Sequence, residues 1–156
     1  MRPLSKSKLL AFRQCPKRLW LEVRQPELRA DSGPAVARFA TGLQVGDIAR
    51  QLYDPQSLGA LIDPQAEGFD AAFARTQHLL THSRQPIFEA GFRAGGALAF
   101  ADVLLPSDEG DQLGWRMVEV KSSTSIKDYH RDDAAIQACV AREAGLALTA
   151  IAVAHI

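Results

Sequence analysis

The sequence has little of several features that mark large classes of protein. Only two cysteines, Cys15 and Cys139, occur among its 156 residues, too few for a disulfide scaffold or a self-contained zinc site. The formal net charge is zero, which argues against a globally basic nucleic-acid-binding protein. No apolar run is long enough for a signal peptide or a membrane span. We therefore expect one soluble, cytoplasmic domain, large enough to bury a core and without membrane association.

The charges are unevenly distributed, although they sum to zero. Residues 1–30 contain eight lysines and arginines against two acidic residues, whereas residues 100–133 contain eight acidic residues against four basic ones. A basic segment and an acidic centre suit a nuclease, in which cations contact backbone phosphates and carboxylates bind metal. A solvated helical face explains the basic segment equally well. We treat residues 1–34 as a basic helical arm and residues 35–156 as the core of a single domain.

The main candidate site lies in a predicted β-hairpin. Its strands are Phe100–Leu105 and Trp115–Ser123, and the residues between them are rich in turn formers. Side chains alternate between the two faces of a strand, so Glu119 and Lys121 point the same way. Lys121 lies one pleat beyond Glu119, so this face carries both an acidic and a basic side chain.

Two carboxylates are predicted to face each other across this hairpin. Asp102 interrupts an otherwise apolar strand, where an unpaired carboxylate is costly. If the hairpin closes symmetrically about Gly110 and Asp111, Asp102 lies opposite Glu119. Facing carboxylates repel each other unless a cation lies between them, and their oxygens suit Mg²⁺ or Mn²⁺. The pattern indicates a metal-dependent phosphodiesterase site, and its alternative is the solvated face of a surface hairpin.

Three helical regions are predicted before the hairpin. Residues 5–23 form two short helices that are broken at Cys15-Pro16, with Cys15 at the cap of the second. Longer amphipathic helices are expected at about residues 35–53 and 68–83, where apolar residues recur near helical spacing.

A strand at residues 86–93 supplies a third acidic residue. Strict alternation puts Glu89 on one face with Ile87 and Gly91. A tight turn leads from this strand into the Asp102 strand, so Glu89 lies on a neighbouring strand. It is either a third carboxylate of the same site or an ordinary edge-strand acid.

The chain after the hairpin is predicted to form a helix and a final strand. The helix spans about residues 132–144, with Asp132 and Asp133 as N-terminal caps and Gln137 at the edge of its buried stripe. The last strand is apolar on both faces, as in a covered strand, and a helical crossover makes it parallel to the Glu119 strand. The fold class is α/β, with a mixed sheet flanked by helices.

This order of elements, with these residues on it, resembles the core of the PD-(D/E)XK nuclease superfamily. Asp102 matches the motif aspartate, and Glu119 and Lys121 match the E-x-K. Gln137 matches the glutamine that opens the Q-x-x-x-Y motif of the RecB-like branch, and Glu89 falls where some members place an additional acid. The opening LSKSKLLAFRQCPKRLW is similar to the N-terminus of CRISPR-associated RecB-like exonucleases and related bacterial proteins. The resemblance implies a restriction-endonuclease-like core.

The resemblance also implies roles for these residues. Asp102, Glu119 and the Val120 carbonyl would hold Mg²⁺, for which Mn²⁺ can substitute, with assistance from Glu89. Lys121 would orient or deprotonate the attacking water, and Gln137 would position Lys121 or a phosphate. The expected partner is DNA, with RNA open as an alternative, and the expected phosphate contacts are Lys17, Arg18, Ser122, Ser123 and Thr124.

Three departures from the family pattern support a second interpretation. Ala141 replaces the tyrosine expected after Gln137, and the G-x-x-x-H of many relatives is G-L-Q-V-G at residues 42–46. Cys15 matches the first cysteine of the iron–sulfur relatives but has no later trio, so we expect no iron–sulfur cluster. The second interpretation is a catalytically inactive nuclease-like module or subunit that binds nucleic acid. A chance motif in an unrelated α/β protein and a homodimer through an exposed sheet edge also stay open.

Overall fold

The computed structural model of the protein describes residues 3–28, 44–109 and 112–155. The first part of the helix expected at 35–53, the glycine at position 42 and the turn at 110–111 lie outside the described residues. Within those residues, no helix is long and apolar enough to cross a membrane.

A mixed sheet of six strands forms the centre of an α/β fold, as predicted. The strands are β1 (Leu4–Ser5), β2 (Ala60–Leu61), β3 (Ile87–Ala94), β4 (Ala97–Glu109), β5 (Gln112–Lys121) and β6 (Leu148–His155). Their order in the sheet is β2-β3-β4-β5-β6, and the short β1 pairs with β4. The hairpin partners β3, β4 and β5 are antiparallel, whereas β6 runs parallel to β5 as expected for a crossover.

Helices cover the two faces of this sheet. They are α1 (Lys6–Gln14), α2 (Pro16–Arg24), α3 (44–53 in the described part), α4 (Pro64–Glu67), α5 (Phe69–His82) and α6 (Asp128–Glu143), with a short 3-10 helix at Pro26–Leu28. The break at Cys15 is confirmed: Pro16 is the first residue of α2, and Cys15 occupies its N-cap position. Ala49 on α3 packs in one buried cluster, and Val140 on α6 packs in the other.

The hairpin has the predicted register but much longer strands. Val103 pairs with Val118, and the ladder continues in step to the pair of residues 109 and 112. The loop expected between residues 105 and 115 is therefore wrong, because most of it extends the two strands. Pro106 is tolerated in β4 because the pairing of β3 with β4 ends at Leu104, so no strand of the described part of the chain needs an N–H from this position on that side.

Strict alternation fails at Glu89 on β3. Glu89 has a φ of 56°, a left-handed conformation that reverses which face the following residues occupy. Ile87 and Ala90 consequently pack in the same buried cluster, whereas Phe88 packs in the other. The predicted sharing of one face by Ile87, Glu89 and Gly91 is wrong for this reason.

Helix α6 begins four residues before its predicted start. The Nδ1 atom of His130 accepts a hydrogen bond from the Lys127 N–H at 3.2 Å, which satisfies a donor at the helix N-terminus. Asp132 and Asp133 therefore lie inside the helix and do not cap it. Gln137 is fully buried, not at the edge of the buried stripe.

Strand β6 also differs from its prediction. Among the described residues it pairs with β5 alone, at one end of the strand order. Most of its side chains are half-buried, and Ile151 is exposed. The apolar sequence therefore belongs to an edge strand that is only partly covered.

Candidate functional site

Three carboxylates occupy neighbouring positions on β3, β4 and β5. The pairing registers place Glu89 opposite Asp102, and Asp102 opposite Glu119, although both ladders omit these pairs. All three side chains line one cavity of about 330 Å³, together with Lys121. The structure thus brings the predicted acids and the predicted lysine to one place.

The Asp102 side chain occupies the gap between β4 and β5. Its Oδ2 accepts a hydrogen bond from the backbone N–H of Val120 at 2.7 Å. Burial raises the pKa of Asp102, while the Lys6 ammonium and the Val120 N–H oppose that rise. The N–H and C=O of one strand residue point to the same side, so the Val120 carbonyl also faces β4.

Glu119 is the most deeply buried acid of the site. Its side chain is 1 % exposed, and its Oε2 accepts a hydrogen bond from the Gln137 side-chain amide. Its Oε1 contacts the ammonium groups of Lys121 and of Lys6, the latter at 3.4 Å. Burial, with the nearby Asp102 charge, raises the pKa of Glu119 to about 7 despite the two lysines.

Lys121 lies between two carboxylates. Its Nζ donates hydrogen bonds to Glu119 on its own strand and to Asp133 on α6. Burial alone would lower its pKa, but the charges and hydrogen bonds of these two carboxylates raise it. Lys121 is therefore a protonated ammonium held in a fixed position.

Gln137 positions Glu119. The sequence interpretation placed its amide on Lys121 or on a phosphate, whereas the structure places Nε2 on Glu119. Asp133, one helical turn earlier on α6, contacts Lys121 instead. Residues four apart share a helix face, so α6 presents one polar group to each of the two motif residues of β5.

Sequence reasoning missed Asp133 and Lys6 as members of the site. Lys6 is the first residue of α1, and its Nζ lies 3.0 Å from Asp133 Oδ1. The four-residue spacing of Asp133 and Gln137 within one helix was an available signal, because it predicts a shared face. Lys6 had no such signal, since its approach depends on the pairing of β1 with β4.

The predicted phosphate contacts are divided between two places. Ser122 lines the cavity, whereas Ser123 Oγ donates to the Ser125 carbonyl at 2.9 Å. Thr124 is exposed just after β5. Lys17 and Arg18 are exposed on α2 and do not line the cavity.

The donor set fits a hard divalent cation in its chemistry. It consists of carboxylate oxygens and a backbone carbonyl, which Mg²⁺ and Mn²⁺ prefer. Among the described residues, no group of three His, Cys, Asp or Glu side chains is arranged to hold a metal ion. Positive charge at the carboxylates comes from the ammonium groups of Lys6 and Lys121, which contact Glu119. Arg50 of α3 lines the same cavity, and its charge opposes the rise that burial causes in the pKa of Glu89.

No protein-family model, curated protein or solved structure matches this chain. The functional hypothesis therefore depends on the chemistry of the cavity.

Proposed function

We propose that the protein is a metal-dependent nuclease that hydrolyses phosphodiester bonds of DNA, built on a restriction-endonuclease-like core of the PD-(D/E)XK type. The observation that carries this proposal is the meeting of Asp102, Glu119 and Lys121 in one cavity, with Glu89 on the next strand. A buried carboxylate such as Glu119, beside half-buried acids and a half-buried lysine, is costly unless the group serves binding or chemistry.

The carboxylates form the metal-binding part of the proposal. Asp102, Glu119 and the Val120 carbonyl would hold Mg²⁺ or Mn²⁺, with Glu89 assisting. The bound metal would lower the pKa of a water molecule and neutralise charge on the scissile phosphate. Gln137 holds the Glu119 carboxylate in place through the hydrogen bond to Oε2.

Lys121 supplies a fixed positive charge. Because its pKa is raised, it acts as a hydrogen-bond donor that orients the attacking water. Its ammonium also stabilises the negative charge that develops on the phosphate in the transition state. Asp133 keeps this donor beside Glu119.

The proposal includes the surroundings of the cavity. Ser122 at its rim, with Ser123 and Thr124 behind it, offers hydroxyl groups to a phosphate backbone, and Lys17 and Arg18 add charge on α2. We also propose that the protein is cytoplasmic and that it forms a homodimer through the open edge of β6.

A second candidate function is an inactive nuclease-like module that binds nucleic acid. The observation that favours it is the occupation of both Glu119 oxygens, Oε1 by two ammonium groups and Oε2 by an amide. A site held in this state binds phosphate chains near its lysines but does not turn over.

A single-turnover cleavage assay separates the two functions. Labelled single-stranded DNA, double-stranded DNA and RNA are incubated with Mg²⁺, Mn²⁺ or a chelator. Metal-dependent cleavage that Glu119→Gln abolishes supports the nuclease. Glu143→Gln, which removes an exposed acid of α6, should retain wild-type cleavage. Metal-independent binding without cleavage under every condition favours the inactive module.

A further inference from the structure

We propose that Lys6 is an internal counter-ion of the carboxylate site, and that a divalent metal ion displaces its ammonium group when it binds. This inference rests on the proposed function, because it assigns a further residue to the same metal site. Lys6 lies in the N-terminal segment, far in sequence from the Glu119 and Lys121 of the E-x-K pattern.

The position of Lys6 among the acids is the first observation. Its Nζ lies 3.0 Å from Asp133 Oδ1 and 3.4 Å from Glu119 Oε1. The same side chain lines the cavity that Glu89 and Asp102 also line. One ammonium group from α1 thus faces acids from β3, β4, β5 and α6.

The backbone of the N-terminal segment sets this position. Leu4 and Ser5 of β1 pair with Ala97 and Leu98 at the start of β4, and Leu4 N–H donates to the Gly96 carbonyl at 2.9 Å. Helix α1 begins at the next residue, Lys6. The β4–β5 ladder reaches only to Val103 on β4, so the Lys6 side chain enters beside the part of β4 that β5 does not cover.

Lys6 is held less firmly than Lys121. Lys121 lies on the same strand as Glu119 and donates hydrogen bonds to two carboxylates. Asp133 Oδ1, by contrast, has no hydrogen-bond partner among the described residues although Lys6 lies close to it. The two lysine side chains are almost equally exposed, 24 % for Lys6 and 21 % for Lys121, so the difference between them lies in these hydrogen bonds. The flexible four-carbon stem of Lys6 can carry its ammonium into water.

Charge explains why the metal and Lys6 exclude each other. A divalent ion at Asp102 and Glu119 would lie beside the Lys6 ammonium, and like charges repel strongly where water is scarce. Lys121 keeps its hydrogen bond to Asp133 Oδ2, whereas Lys6, although close to Asp133 Oδ1, donates a long hydrogen bond to Glu119 Oε1 at 3.4 Å and none to Asp133. Lys6 is the cation free to leave, so metal binding and Lys6 contact with Glu119 become alternatives.

Two measurements on the intact chain test this inference. Calorimetry with Mn²⁺ should show that Lys6→Met binds the metal at least about tenfold more tightly than wild type, because no cation has to be displaced. Lys6→Arg keeps the charge and should stay within a few-fold of wild type. Lys8→Met removes an equal charge from the same helix, at a side chain that does not line the cavity. Its affinity for Mn²⁺ should also stay within a few-fold of wild type.

The second measurement needs no variant. Lysine labelling of the wild-type protein with an amine-reactive reagent, read by mass spectrometry, should increase at Lys6 when Mn²⁺ is added and stay constant at Lys8. This reading also decides the matter if Lys6→Met fails to fold.

The failures of the two proposals are distinguishable. If wild type binds Mn²⁺ but Lys6→Met binds it equally well, or Lys6 labelling does not rise, the counter-ion role is wrong and the metal site stands. If neither wild type nor any Lys6 variant binds metal, the proposed metal site is wrong and the counter-ion role falls with it.

Discussion

The carboxylate of Asp102 accepts a hydrogen bond from the backbone N–H of Val120 at 2.7 Å. The β4–β5 ladder ends at the adjacent pair, Val103 and Val118, so a side chain continues the bonding where the backbone pairing stops. The bond fixes one oxygen of Asp102 next to β5. The other oxygen is the one that we expect to bind a cation.

Asp102→Asn removes the charge of the side chain but can keep the hydrogen bond from the Val120 N–H. The amide oxygen of asparagine can still accept from Val120, so the variant should keep its fold while it loses a metal ligand. We expect Mn²⁺ affinity, measured by calorimetry, to fall at least about tenfold, which corresponds to about 1.4 kcal/mol. Asp102→Ala loses the bond as well, and its free energy of unfolding should fall by about 1–3 kcal/mol. Unchanged affinity in both Asp102→Asn and Glu119→Gln would refute the metal assignment.

Lys121→Met tests whether the protein is an enzyme. The substitution removes the charge but keeps length and much of the apolar stem. A preorganised charge acts mainly on the transition state, so the single-turnover cleavage rate should fall on the order of a hundredfold. Nucleic-acid binding with metal should be retained.

The matched control for Lys121 is Lys127→Met. Lys127 is exposed at the start of α6, and its loss should leave cleavage within a few-fold of wild type. Cleavage by Lys121→Met at a similar rate would contradict the assigned mechanism.

Metal affinity should depend on pH through Glu119. Burial raises the pKa of this carboxyl to about 7, and a ligand must lose its proton before it binds metal. Below pH 7 the group is protonated, so the apparent Mn²⁺ affinity should fall by roughly tenfold for each pH unit and level off above it. Calorimetry from acidic to mildly alkaline pH measures this slope. An affinity that is constant across the range would show that Glu119 is not a ligand.

The hairpin register could be predicted from the sequence because two local rules agree. Turn formers at its centre locate the reversal of the chain, and the alternation of apolar Val118 with Glu119 excludes a one-residue slip, which would move Val118 to the opposite face. The site could not be predicted as fully. The left-handed conformation of Glu89 leaves no mark in a pattern of polar and apolar residues.

The roles of Asp133 and Gln137 depend on tertiary contacts that override local preference. Two adjacent aspartates before an apolar stretch are typical of a helix N-terminus. The hydrogen bond at His130 moves the start of α6 upstream, and Asp133 then faces Lys121 from inside the helix. A residue assigned to capping by its neighbours in sequence thus belongs to the site.

Lys17 and Arg18 on α2 should contribute to nucleic-acid binding without sequence preference. Lys17→Ala with Arg18→Ala should weaken binding to all sequences alike. Each phosphate contact that forms releases about one counter-ion from the nucleic acid. Loss of two contacts should therefore flatten the slope of log affinity against log salt concentration by up to about two units. Binding titrations at several salt concentrations measure this slope.

The control for the arm removes an equal charge elsewhere. Arg75→Ala with Arg93→Ala eliminates two arginines that are paired with Glu67 and Asp70 and do not line the cavity. This pair should leave the salt slope unchanged. If the α2 variant also leaves it unchanged, the phosphate contacts lie elsewhere.

The backbone conformation at Glu89 should lower the stability of the fold. Its φ of 56° is unfavourable for residues with a Cβ, by about 1–2 kcal/mol relative to right-handed conformations, whereas glycine adopts it readily. Strain of this kind persists where the surrounding structure enforces it, and it concentrates at functional sites. Glu89→Ala and Glu89→Gly both remove the carboxylate, so their difference isolates the backbone.

We expect Glu89→Gly to be more stable than Glu89→Ala by about 1 kcal/mol, measured by denaturant unfolding of the metal-free protein at one pH. In an ordinary strand the order is reversed, because glycine is less stable than alanine by roughly 0.5–1 kcal/mol. The adjacent buried residue Ala90 serves as the control for an ordinary strand position: Ala90→Gly should lower the free energy of unfolding. Both Glu89 variants should also bind Mn²⁺ more weakly than wild type, since each lacks the third carboxylate. Greater stability of Glu89→Ala than of Glu89→Gly would show that position 89 carries no backbone strain.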